Sequence, residues 1–244
     1  MPGDSAAPRQ LPLPLALAPS SSRADLVEDA SNAEALAWLD RPGEWPLGRL
    51  ALHGAAGVGK SHMLRAAAAE RGWRLLHGAV LDEALALAPA AGTALDDAEA
   101  APEAALFHLI NCAAETGAPL LLAARAAPAR WPVRLPDLAS RLRATFAVGI
   151  GAPTDALLAA LMGKLLADRQ LRVGPDVQAW LLARLPRDAA AVGAAVATLD
   201  AAALAAGAAI TRPFAREVLG PLSGGDDDSM SEPPDASPPG AGLG

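Results

Sequence analysis

Residues 54–61 read GAAGVGKS and fill every fixed position of the pattern G-x-x-x-x-G-K-[ST]. The stretch follows a short apolar run, RLALHG (49–54), and precedes SHMLRAAAAERG (61–72), a helical segment that ends at Gly72. This strand–loop–helix order is what a phosphate-binding loop needs. Glycines let backbone N–H groups turn inward around an anion, and the start of the next helix adds partial positive charge. Gly54, Ala55, Ala56, Gly57, Val58, Gly59, Lys60, Ser61 and His62 form the candidate site. Lys60 supplies a point charge for β- and γ-phosphates, and Ser61 a hydroxyl for Mg2+. Only two lysines occur, Lys60 and Lys164, so one of them falls on the position where the pattern demands it.

A P-loop magnesium site draws a carboxylate from a neighbouring strand tip. TALDDAE (93–99) offers Asp96 and Asp97 after a short apolar run. Asp96 is the candidate for the Mg2+ shell, together with Ser61. Asp97 is the candidate that orients or activates the attacking water. Alone, such a pair reads equally well as a solvated turn or a helix cap; the phosphate loop upstream favours the functional role.

The rest of the chain alternates apolar runs with helical segments. WRLLHG (73–78), TALDD (93–97), PLLLAAR (119–125) and TFAVGI (145–150) read as strands, with a helix around 102–116. Ser31-Asn32 before AEALAWLD reads as a capped helix. Strands alternating with helices imply an α/β fold with a mostly parallel sheet and right-handed crossovers. After Gly151 only helices are expected, near 154–168, 175–185 and 187–206, with a short one after Thr211. The expected organisation is a flexible arm (1–23), an α/β domain (24–151), a helical lid (152–220) and a disordered acidic Pro/Gly-rich tail (221–244).

Composition narrows the function classes. Hydrophobic residues make up 52% and aromatics 3%, so the core must be built from Leu, Val and Ala, and no uninterrupted bulky apolar span suggests a membrane segment. The single cysteine, Cys112, cannot form an internal disulfide, which fits a reducing compartment. The tail holds five acids and no Lys or Arg, leaving −2 of the net −7 for everything else. A nearly neutral body argues against DNA binding through a basic surface. His53 and His62 flank the phosphate loop and read as structural rather than catalytic; His77, His108 and Cys112 show no metal-ligand spacing, and Trp38 and Trp45 read as packing residues.

Phosphate loop, acidic pair, sheet and helical lid together resemble a P-loop AAA+ module. ADLVEDASNAEALAWLD (24–40) resembles the adenine-side segment of the replication initiator DnaA, and LPDLASRLRA (135–144) that family's box VII. DRQLRV (168–173) and ITRPFAREVL (210–219) extend the match, which is strongest to the Hda branch, DnaA-related proteins without the DnaA DNA-binding domain. The resemblance implies ATP or ADP with Mg2+ as ligands, and Arg141 as an arginine finger acting in trans on a neighbour's γ-phosphate, with Arg134 and Arg143 close by in sequence. It also implies that RQLPLPLAL (9–17) is a sliding-clamp-binding peptide of the form Q-L-x-L-P-L. Gln10, Leu11, Leu13 and Leu15 would then contact the β subunit of DNA polymerase III, and Pro12 and Pro14 would keep the peptide extended.

The implied function is cytoplasmic regulation of replication initiation by promoting hydrolysis of DnaA-bound ATP. It needs no sequence-specific DNA binding and no membrane, and it allows a homo-oligomer. Two positions depart from the family pattern. Ala123 stands where a Thr or Ser sensor is common, and Ala190 where the lid's sensor arginine belongs, with Arg187 one turn earlier. Both losses imply weak hydrolysis by the protein itself. The alternative is a stand-alone AAA+ ATPase or a loader acting on DNA or a helicase.

Overall fold

The computed structural model describes residue 23 and residues 26–220. The peptide expected at 10–15 and the acidic tail lie outside the described residues. Five parallel strands form one sheet in the order β2-β3-β4-β1-β5. They are β1 (Arg49–His53), β2 (Arg74–His77), β3 (Thr93–Asp96), β4 (Leu120–Ala124) and β5 (Phe146–Gly149). β1 pairs Leu52 with Ala123 of β4 and with Val148 of β5, so it runs through the interior of the sheet. Leu50, Ala51, Leu52 and Leu120 to Ala124 are all buried, the continuous apolar run expected of a strand covered on both faces.

Helices cover both faces. On one side α1 (Ala33–Leu39) and α2 (Lys60–Arg71) pack Leu36, Leu39, Met63 and Leu64 against Leu50, Leu52, Leu121 and Val148. On the other, α3 (Glu83–Leu87), α4 (Glu103–Thr116) and α5 (Pro136–Arg143) pack Leu106, Ile110, Leu138 and Leu142 against Ala51, Leu95, Leu120 and Leu122. Alternate residues of β1 and β4 feed opposite cores, as the two-residue strand period requires. Each fully buried Leu contributes about 1.5–3 kcal/mol. The tryptophans pack as expected: Trp38 lies 4.6 Å from the Phe146 ring and Trp45 lies 5.6 Å from Trp73.

The Ser31-Asn32 cap differs from expectation. Asn32 precedes α1 but makes no side-chain cap bond. Its Oδ1 accepts from the Asp29 N–H at 2.9 Å and its Nδ2 donates to the Val27 carbonyl at 2.9 Å. Asn32 is buried, so its amide must be satisfied internally, and closing the 27–32 turn does that.

Between β5 and residue 220 the described chain forms helices alone: α6 (Asp155–Asp168), α7 (Pro175–Leu182), α8 (Ala189–Ala206) and α9 (Arg212–Leu219). They enclose a separate core of Leu158, Met162, Trp180, Val196, Leu199 and Ile210. By length and a mean hydropathy of 1.7, α8 passes the test for a membrane span. Its alanine content produces that score, and it packs Val192, Val196 and Leu199 into this core. The junction between sheet and lid is tied by Asp29, which accepts from the Thr154 hydroxyl at 2.6 Å, and by the Gly151 N–H donating to the Ser31 carbonyl at 2.9 Å. A parallel α/β sheet followed by a helical lid is the fold class the sequence implied.

Candidate functional site

The glycine loop leaves the C-terminal edge of the sheet from β1, between β4 and the outer strand β5. The Gly54 N–H donates to the Ala124 carbonyl at 3.3 Å, and the Ile150 N–H donates to the His53 carbonyl at 2.7 Å. A Cβ on Gly54 would lie 2.5 Å from the Ile150 carbonyl oxygen, so only glycine fits there. Gly59, with φ +102, turns the chain into α2 and leaves the first N–H groups of that helix without a side-chain cap. Val58, buried, anchors the loop in the core beneath it.

Lys60 opens α2 and folds back over the loop, its Nζ donating to the Gly54 carbonyl at 2.8 Å and the Ala55 carbonyl at 2.7 Å. Burial lowers its pKa most; the carboxylates of Asp96 and Glu99 oppose that, the like charge of Arg125 adds to it, and Asp97 opposes it more weakly. The ammonium therefore sits among acids while bonding only to carbonyls that a bound phosphate can replace. Ser61 and His62 follow in the first turn of α2, both half-buried.

β3 delivers the acidic pair to the same edge. Asp96 accepts from the Asp97 N–H at 3.0 Å. Asp97 adopts φ +49, a left-handed conformation that Asp tolerates better than most residues, and its carboxylate lies 3.9 Å from His77 Nε2. Glu99, which the sequence reading passed over, accepts from the Arg125 N–H at 3.1 Å and the Ala126 N–H at 3.4 Å. The signal was there in the third acid of LDDAE. Among the described residues, no group of three His, Cys, Asp or Glu makes a protein-only metal site. A hydroxyl from Ser61 and a carboxylate from Asp96 suit a hard cation that takes its other oxygens from phosphate and water.

The sensor positions are plain. Ala123 is buried within β4 and offers no polar group. Ala190, exposed in the first turn of α8, offers none either. Arg187 pairs with Asp155 at the start of α6. The lid still touches the loop: the Ala189 N–H donates to the Gly57 carbonyl at 3.1 Å, and a Cβ on Gly57 would lie 2.6 Å from the Asp188 Cβ.

Arg141 lies elsewhere. It occupies the last turn of α5, before β5 begins, with its guanidinium 5.3 Å from the centroid of the Phe107 ring. Its neighbour in charge is Arg49, the first residue of β1, whose pKa is lowered by burial and then by Arg141. Four strand steps, about 13 Å, separate Arg49 from His53 at the loop. The segment leading into α5 is fastened by Glu103, which accepts from the Arg134 N–H at 2.9 Å and the Leu135 N–H at 2.9 Å.

Comparison with known proteins bears on the lid and on the fold. Residues 156–219 match the family described as the Hda lid domain. The fold is similar to domain III of the replication initiation protein DnaA from Thermotoga maritima, at 16% identity, 83% of this chain, 96% of that chain and a TM-score of 0.70. The chain thus carries an Hda-type lid on a fold similar to that of DnaA domain III. AMPPCP-bound DnaA from Aquifex aeolicus is also similar, at 18% identity, 74% of this chain, 65% of that chain and a TM-score of 0.60. So is the Thermotoga maritima RuvB Holliday junction branch migration motor, at 17% identity, 75% of this chain, 64% of that chain and a TM-score of 0.55.

In this fold the loop residues 54–62, Asp96 and Glu99 gather at one edge of the sheet. Asp97 is at that edge too, turned toward His77. Arg141 stands at the opposite edge, and Gln10, Leu11, Leu13 and Leu15 lie outside the described residues.

Proposed function

We propose that this chain regulates the initiation of chromosomal replication. It binds ATP or ADP with Mg2+, holds the DNA-loaded sliding clamp through residues 10–15, and presents Arg141 to ATP bound on DnaA. The match of its lid to the Hda lid domain, on a fold like DnaA domain III, carries this reading. Similarity to a DnaA bound to AMPPCP supports an adenine nucleotide on the glycine loop. The backbone N–H groups of that loop and Lys60 cradle the phosphates, and Ser61 and Asp96 hold the cation. The position of Arg141 supports action in trans, because its own loop lies at the far edge of the sheet. Hydrolysis by the protein itself is slow, since neither Ala123 nor Ala190 contacts a terminal phosphate. The work is done in the cytoplasm.

The test compares the full chain with a variant lacking residues 1–20 in two assays: binding to clamp loaded on DNA, and turnover of DnaA-bound ATP in its presence. Loss of both activities is expected. Clamp binding that survives the deletion contradicts the role given to Gln10, Leu11, Leu13 and Leu15.

A second reading, a stand-alone ATPase or loader, is favoured by the loop's full motif and by the acids near Lys60. Partner-free turnover on the order of 1 s⁻¹ or faster, typical of competent enzymes, is the result it requires.

A further inference from the structure

α5 is short, and its own sequence gives its start little support. Its N-cap residue, Leu135, makes no side-chain cap bond, and residues 134–137 are exposed, so packing begins only at Leu138. The anchor comes from α4. In the first turn of α4 the Glu103 carboxylate accepts from the N–H groups of Arg134 and Leu135, both at 2.9 Å. One turn later on the same face, Phe107 carries the Arg141 guanidinium over its ring, 5.3 Å from the centroid. Buried Leu138 and Leu142 fix how α5 is rotated, and the Thr145 hydroxyl donates to the Arg141 carbonyl at 2.9 Å. Of the three arginines in the segment, Arg141 is half-buried, while Arg134 and Arg143 are exposed.

We infer that α4 is a brace for the finger: Glu103 fixes the start of α5, and the Phe107 ring holds the Arg141 guanidinium near its end. Both are positioning residues, and the inference rests on the reading of Arg141 as a finger acting in trans. A ring occupies the face of a guanidinium. The five N–H donors lie in the plane and stay open to a phosphate, so the same group can be held and used. A free arginine side chain has many rotamers, and ordering them as the phosphate arrives is costly; contact with the ring removes part of that cost beforehand. Glu103 acts over a longer distance. Releasing the start of α5 lets its last turn shift, and a misplacement of about 1 Å can cost roughly 10²-fold in rate. Because Glu103 and Phe107 lie four residues apart on one helix, a single rigid element sets both contacts.

The experiment measures turnover of DnaA-bound ATP, with clamp loaded on DNA, over a range of concentrations of the full chain and its variants. The variants are Arg141→Ala, Phe107→Leu, Phe107→Tyr, Glu103→Ala and Glu103→Gln. Arg141→Ala is expected to lose the stimulation. Phe107→Leu is expected to lower the maximal rate about two- to fivefold, the size of one exposed cation–ring contact, at an unchanged half-saturating concentration. Phe107→Tyr keeps the ring and is expected to restore the rate. Glu103→Ala is expected to lower it about tenfold or more, and Glu103→Gln, which keeps one acceptor, by less. The chain's own affinity for ADP and AMPPCP, read by calorimetry, is expected to change by less than twofold in the Phe107 and Glu103 variants. If Phe107→Leu or Glu103→Ala reaches the parent's maximal rate while Arg141→Ala fails, the inference is overturned and the finger stands. A loss confined to the half-saturating concentration also overturns it, because the residue then serves contact between the proteins and not the position of Arg141. If Arg141→Ala stimulates as the parent does, the finger reading falls first and takes the inference with it. Circular dichroism checks each fold, and if Glu103→Ala unfolds, Phe107→Leu and Phe107→Tyr decide the outcome.

Discussion

The two edges of the sheet both collect cations, but in opposite company. At the C-terminal edge, Lys60 and Arg125 sit with Asp96, Asp97 and Glu99. At the N-terminal edge, the charge of Arg141 acts on Arg49, and neither makes an ion pair among the described residues. At one edge the carboxylates outnumber the cations, so the charge of Lys60 and Arg125 is compensated within the protein itself. The other keeps an uncompensated positive charge that favours an anion brought by another molecule. A single five-residue strand, β1, carries both: Arg49 begins it and the phosphate loop follows His53.

The largest test of this contrast removes the cation at the unpaired edge. Arg141→Ala should abolish stimulation of DnaA-bound ATP hydrolysis, by roughly 10³–10⁵ in rate where a trans finger dominates. Clamp binding and the protein's own nucleotide affinity should stay as they are, because Arg141 is far from residues 54–61. The guanidinium's contact with the Phe107 ring is worth only about 0.5–1 kcal/mol at such sites, so the fold should survive. Undiminished stimulation in a reconstituted reaction with clamp, DNA and the variant would mean that Arg141 is an ordinary surface cation.

The two edges also differed in how legible they were. The phosphate loop could be read because its chemistry is local: backbone N–H groups, one lysine and one hydroxyl must follow each other in sequence. The sheet and the lid were legible for a similar reason, since apolar runs and alanine-rich helices carry their own periodicity. Glu99 was missed because its partners, the N–H groups of Arg125 and Ala126, come from another strand's end. Arg49 was invisible for the same reason: at the head of RLALHG it reads as a polar residue flanking a strand. Its burial comes from packing between elements far apart in sequence. The Asn32 cap misled because a side chain that suits a helix start also suits a turn, and burial decided between them.

An intermediate effect follows from Arg49. Its side chain is 3% exposed and its Nε is buried without a partner. A buried, unsatisfied donor costs about 1–3 kcal/mol, and replacing a buried charge by an apolar group of similar size is often neutral or stabilising. Arg49→Met should therefore raise the urea midpoint, corresponding to a gain of about 1–3 kcal/mol. Nucleotide affinity should not change. A fall in the midpoint would show that the guanidinium has an anionic partner in solution.

The smallest expected effect belongs to the nucleotide edge and to pH. His53 closes β1, and burial above all, then the charges of Arg130 and Lys60, hold its pKa below the ordinary 6.5. The unfolded chain therefore binds a proton more readily than the folded one just below pH 6.5. By linkage, stability is full above that value and declines as pH falls toward the lower folded pKa. Asp29 does not blur this window. Burial pushes the Asp29 carboxyl up, yet hydrogen bonds from Ser31 and Thr154 outweigh it and hold the group below 3.8. What Asp29 contributes is lost only at more acidic pH. Arg49 and Arg141 at the N-terminal edge are guanidinium groups and do not titrate in this range. Urea unfolding of the parent from pH 7.5 to 5.5 should thus show a decline that His53→Gln reduces and Arg49→Met leaves in place. Identical slopes for the parent and His53→Gln would mean that the imidazole is protonated as easily at this edge as in water, and that the charges around the loop do not act on it.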